Sequence, residues 1–166
     1  MVNWLIYRMR PSPDHAAMLV HDLQRFEPVD PYEDDLAEIE LVQVPYDGPI
    51  VAVFREGGEL GIRLDNGAKP ALDASWWERR EFALAEGEPY IDPETDEERV
   101  ETGAPVRFPV APDELARLIV AALTEYFGLA PTDEVVATEN GNPDDWPGGG
   151  VDPSSELPLI SEVRRA

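Results

Sequence analysis

Two adjacent glycines between two apolar runs place the tightest limit on what this chain can fold into. Ile50 to Arg55 reads as an apolar strand, Glu56-Gly57-Gly58-Glu59 as a hairpin turn, and Leu60, Ile62 and Leu64 alternate as a half-buried strand requires. Strands joined so tightly run antiparallel, because parallel neighbours need a crossover of about a dozen residues or more. The flanking connections are equally short. Tyr46-Asp47-Gly48-Pro49 separates Ile50 from a strand marked by Ile39, Leu41 and Val44, and Asp65-Asn66-Gly67 gives the next turn signal. The middle of the chain is therefore expected to be an antiparallel meander.

Helical periodicity brackets that meander. Upstream, Val2 to Met9 reads as a first strand, and its apolar residues on both faces predict an interior position. Ser12 followed by Pro13 signals a helix start, and Ala16, Leu19, Val20, Leu23 and Phe26 form an amphipathic stripe that stops before Pro28. Downstream, Pro105 to Val135 reads as strand, helix, strand. Leu115, Leu118, Ile119, Ala122, Leu123, Tyr126 and Phe127 share one helix face, while Asp113, Arg117 and Glu125 are left toward water. Pro112 and Gly128 mark the helix ends, and packing accounts for the whole stripe. Ser75 to Leu84 is ambiguous: a strand centred on Phe82 and Leu84 is the favoured reading and a short helix the alternative. The expected architecture is α+β, a curved antiparallel β-sheet meander with two main helices packed on one face, spanning residues 1–139. Residues 140–166 turn to Gly, Pro, Asp and Ser and are expected to form an irregular C-terminal tail.

The 166 residues suffice for one domain with a sizeable core. A hydrophobic fraction of 43% with four Trp argues for a folded chain despite a net charge of -22. There is no cysteine, which removes disulfides, thiolate metal sites and Cys nucleophiles. No apolar run approaches the roughly 18 residues of a membrane helix, and the N-terminus reads as a strand with no basic region before it, so a cytoplasmic location is expected. Asp plus Glu outnumber Lys plus Arg 35 to 13. That balance disfavours nucleic acid and anionic membranes, whose phosphates need cations, and suits a basic protein partner, since complementary fields accelerate encounter. A high-salt or GC-rich host would give the same acidic excess without any partner.

Catalytic motifs are missing. His15 and His21 lie six apart on the first helix, which puts them on different faces and not at the i, i+3 or i+4 positions of a metal pair. Asp92, Glu94 and Asp96 resemble the start of a calcium loop, but Glu97 and Gly103 stand where an EF-hand needs Gly and Glu. No serine sits in G-x-S-x-G, and neither Gly57-Gly58 nor Gly148 to Gly150 lies between a strand and a helix as a phosphate-cradling loop must. No catalytic residue, metal or cofactor is therefore expected, and the chain reads as a binding protein. Its expected partner-binding residues are the acidic loop Asp92, Glu94, Asp96, Glu97 and Glu98, the pair Trp76 and Trp77, of which a strand would turn one outward, and Asp144, Asp145 and Trp146 in the tail. Trp buries a large area at little rotamer cost, and beside carboxylates it suits a basic surface.

Val106-Arg107-Phe108-Pro109, the helix start Pro112-Asp113-Glu114, the helix to Phe127 and Gly128-Leu129-Ala130-Pro131-Thr132-Asp133-Glu134-Val135 follow the meander and the charged loop. Together they resemble the closing half of the Imm1 family, bacterial immunity proteins that neutralise polymorphic toxins, including deaminase toxins. The resemblance covers roughly Ile50 to Thr138. It implies a protein that occludes the basic active-site face of a cognate toxin without catalysis. Two other classes stay open: an acidic adaptor or nucleic-acid mimic bound to another basic protein, and a small carboxylate-dependent hydrolase or transferase.

Overall fold

The computed structural model of the chain describes residues 6–25, 36–43, 50–65, 74–138 and 157–163. Its elements are β1 (Ile6–Met9), α1 (Pro13–Arg25), β2 (Leu36–Gln43), β3 (Ile50–Glu56), β4 (Glu59–Asp65), α2 (Ala74–Arg79), β5 (Ala83–Ile91), β6 (Glu98–Val110), α3 (Pro112–Ala121) and β7 (Val135–Thr138). One antiparallel sheet takes all seven strands, in the order β1-β7-β2-β3-β4-β6-β5. The fold is α+β, with α1 and α3 packed on each other and on strands of that sheet.

Local chemistry sets most of these elements. Gly57 and Gly58 hold φ of +59° and +82°, the pair of left-handed residues that a two-residue hairpin needs and that glycine adopts without a Cβ clash. At the start of α1, Ser12 Oγ accepts the His15 N–H at 3.2 Å, with Pro13 in the first turn. Helix α3 opens at Pro112, and Asp113 and Glu114 place negative charge at its positive end. Its last turn widens into a π-helical turn over Ala122–Tyr126, and Gly128, at φ +74°, ends it as the sequence predicts.

The strands then bury alternate residues beneath the helices. Tyr7, Met9, Ile39, Leu41, Val51, Val53, Ile62, Leu64, Val135 and Ala137 meet Leu19 and Leu23 of α1 and Leu115, Ile119 and Leu123 of α3 in one core. A buried hydrogen bond of 2.9 Å from the Tyr7 hydroxyl to Asp22 ties β1 to α1 inside it. On the other face Gly61 allows the Phe54 and Phe108 rings to approach, with centroids 5.4 Å apart; a Cβ at Gly61 would overlap the Phe54 ring.

Two expectations change at the ends of the chain. Strand β1 is not interior: it is the terminal strand of the sheet, and β7, from far downstream, separates it from β2. Alternation in a strand reports which faces are covered and says nothing of which edge is paired. The β1 edge is nonetheless occupied, because the Arg8 N–H donates to Pro158 O at 2.9 Å and Arg8 bridges Leu159 in parallel. Within the stretch expected as an irregular tail, Ile160–Glu162 form a short 3-10 turn whose Ile160 is fully buried in the core. The C-terminal residues 157–163 thus belong to the domain.

Replacing Ile160 by Ala should lower the unfolding free energy by about 2–5 kcal/mol, as other buried Ile truncations do. Ser161→Ala, at an exposed neighbour, should stay within about 0.5 kcal/mol. Urea denaturation of the two variants checks the docking, and equal stability would contradict it.

Candidate functional site

The hairpin β5–β6 is longer than the sheet that carries it. Strand β4 pairs with β6 only from Val106 to Val110, whereas β5 pairs with β6 from Ala83↔Val106 out to Ile91↔Glu98. Among the described residues, the part beyond Val106 is a two-stranded arm without a third strand. Two strands alone are marginal in water, and natural edge strands carry charge or proline to blunt unwanted pairing. Pro89 sits in β5, the terminal strand on this side, and Glu86 and Glu88 precede it in sequence.

The five predicted acids gather at the tip of this arm. The Asp92 N–H donates to Glu97 O at 3.0 Å and closes the turn, the Glu94 N–H donates to Asp92 Oδ1 at 2.9 Å, and Asp96 takes φ +57°. Asp92 is half-buried, and Glu94, Asp96, Glu97 and Glu98 are exposed. Next to them on β5, Tyr90 is 46% and Ile91 68% exposed, consecutive strand residues that put one large apolar side chain on each face of the arm. The tip therefore combines dense negative charge with apolar contact area.

The tryptophans are elsewhere. Asp144, Asp145 and Trp146 lie outside the described residues. Trp76 and Trp77 are 6% and 8% exposed, so neither faces out and both belong to the core. The expected outward Trp rests on a strand at 75–84, and the chain instead forms α2 before β5 begins at Ala83. Adjacent helical residues lie about 100° apart, so both rings reach the core, whereas a strand would send them to opposite faces. Trp76 stacks near Tyr126 at 5.1 Å and Phe82 at 6.2 Å, and its indole N–H is buried without a hydrogen-bond partner among the described residues.

At the root of the arm lies a feature that sequence reasoning missed. A cleft of about 450 Å³ collects Arg79, Arg80, Arg107 and Arg117, with Glu81, Glu114 and Glu125 between them and Leu118 and Ala121 as apolar lining. Four of the 13 cationic residues of a chain with net charge -22 thus share one depression. Arg107 is mostly buried and donates to Arg80 O at 3.2 Å and to Glu114 at 2.9 Å, with Glu81 at 3.4 Å. Arg80 lies 4.0 Å above the Trp76 ring and donates to Trp76 O at 2.9 Å and Glu125 at 3.2 Å. Of the four arginines only Arg79 and Arg80 are adjacent in sequence; folding brings in Arg107 and Arg117.

Backbone geometry around the cleft is irregular twice over. The π-helical turn carries Glu125. Glu81 has φ +65°, and with the Phe82 N–H bonded to Trp77 O at 3.0 Å and the Glu81 N–H to Glu78 O at 3.1 Å it ends α2 in a Schellman motif. Glycine normally fills that position, and a glutamate held there costs roughly 1–2 kcal/mol.

Among the described residues no group of three or more His, Cys, Asp or Glu side chains is placed to hold a metal ion, and no helix is long and apolar enough to cross a membrane. Comparison with protein-family models, curated proteins and solved structures finds no match to this chain.

Glu81→Gly should stabilise the protein by up to about 1 kcal/mol, the relieved strain being partly offset by greater freedom of the unfolded chain. Glu81→Val should destabilise it, because a β-branched side chain tolerates positive φ worst. Denaturation midpoints ranked Gly above Glu above Val meet the expectation, and a lower midpoint for Gly than for Glu would refute it.

Proposed function

We propose that this chain is an acidic binding and inhibitor protein, an immunity protein that neutralises a cognate bacterial toxin by covering its basic active-site face. The observation that carries the reading is the arm, which leaves the sheet and displays exposed Tyr90 and Ile91 beside Asp92, Glu94, Asp96, Glu97 and Glu98. Carboxylates on a projecting tip attract a basic surface over a distance of the order of the Debye length, about 8–10 Å in physiological salt. Apolar side chains next to them then supply contact area that holds the complex once formed. Inhibition in this reading is stoichiometric occlusion and requires no chemistry from the chain.

The arm and its charge support a binder of a basic surface, and the resemblance described above supports a toxin as that partner. An acidic adaptor for a basic protein outside any toxin system would use the same surface, and a toxin-like reading frame beside the gene separates the two. The cytoplasm is the proposed location, where the toxin's target and its antidote would meet.

Replacing Asp92 and Asp96 by Asn and Glu94, Glu97 and Glu98 by Gln tests the tip. Asn retains an acceptor for the Glu94 N–H and tolerates the left-handed φ of Asp96, so the turn survives. Association with the basic partner should slow about tenfold or more at low salt and lose most of its salt dependence. Tyr90→Ala and Ile91→Ala should instead accelerate dissociation. An unchanged on-rate at low salt would remove the tip from the interface.

A further inference from the structure

We propose that the arginine cleft at the root of the arm binds a small dianionic oxyanion, a phosphoryl group or a dicarboxylate, independently of the acidic tip. Guanidinium forks match such groups in shape and charge, and two of the four are already fixed. Arg107 is held by Arg80 O and Glu114, and Arg80 by Trp76 O, Glu125 and the Trp76 ring face. Their orientation entropy is therefore lost on folding and not on binding. Arg79 and Arg117 are exposed and make no hydrogen bond or ion pair among the described residues. These two supply donors that the folded chain does not consume.

Electrostatics explain why the ligand is small. The arginines outnumber the glutamates of the cleft four to three, while the whole chain carries -22. A compact anion seated in the cleft feels its nearest charges, because those farther than about 8 Å are screened at physiological ionic strength. A nucleic acid would have to cross the acidic surroundings and gains nothing from counterion release there. A volume of about 450 Å³ suits a metabolite-sized molecule.

The glutamates give the site a built-in competitor. Glu81 and Glu125 are exposed carboxylates at 3.4 Å from Arg107 and 3.2 Å from Arg80, free to swing into water when a ligand oxyanion takes their place. The strained φ of Glu81 and the π-helical turn bearing Glu125 hold both on the rim. At Glu81 the chain retains local strain that a glycine would remove, at a point where it supplies its own anion.

Nε–Hε resonances of the arginines in the full chain, followed by NMR at constant ionic strength, test this with inorganic phosphate in one arm and succinate in the other. Saturable shifts are expected at Arg79, Arg80, Arg107 and Arg117 and not at Arg10 or Arg25, which lie elsewhere. Whichever anion saturates first identifies the ligand as phosphorylated or dicarboxylic. Arg79→Gln and Arg117→Gln alter exposed, unpaired side chains, keep the fold, and should each weaken binding about tenfold. Glu81→Gln should tighten it roughly two- to fivefold, an effect opposite in sign to loss of a merely structural ion pair. Linear shifts at all arginines alike, or a Glu81→Gln variant that binds more weakly, would overturn the proposal.

Discussion

The guanidinium of Arg107 is the contact on which the layout of this protein depends. It extends from β6 under α3, donates to the carbonyl that ends the α2 turn and pairs with Glu114 in the first turn of α3. One side chain thereby joins the strand that forms half of the arm to the helix layer and to the turn that launches the other half. Mostly buried, it is screened by water far less than the surface pairs around it. Without a fixed root, a two-stranded arm on the edge of a sheet would have little to define its direction.

The distribution of charge follows the same division. The sheet and its two helices form a nearly uncharged interior in which Asp22 is paired to Tyr7, so the acidic excess has to lie outside it. The two ends of the sheet are treated differently. Pro158 and Leu159 pair with Arg8 at the β1 edge, whereas β5 is terminal and carries Pro89 and the exposed Leu84, Tyr90 and Ile91. Among the described residues no strand pairs with the outer edge of β5, on the side that bears the acids and the cationic cleft.

How much of this was legible in the sequence depended on how local its cause is. The Gly57-Gly58 hairpin, the Ser12-Pro13 helix start and the Gly128 stop act within a few residues, and each lies where the pattern puts it. The end of α2 was hidden because Glu81 occupies the left-handed position where a reader looks for glycine, and with the helix went the orientation of Trp76 and Trp77. Insertion of β7 beside β1 and the docking of Ile160 are contacts between opposite ends of the chain, which periodicity does not encode. The acidic loop was visible as composition; that it crowns an arm reaching beyond β4 follows from register. The cleft draws on residues from 79 to 125, and only the Arg79-Arg80 pair gave a local hint.

In the proposed function the acidic tip attracts a basic partner, its apolar neighbours hold it, and the domain behind presents them. Hydrogen–deuterium exchange of the full chain, alone and with the proposed basic partner at saturating concentration and low salt, tests that proposal most directly. The account predicts new protection concentrated between residues 86 and 102 of the arm, with the amides of β1 and β2 unchanged. Protection confined to α1 or to the β1 edge, with the arm exchanging as in the free protein, would contradict it.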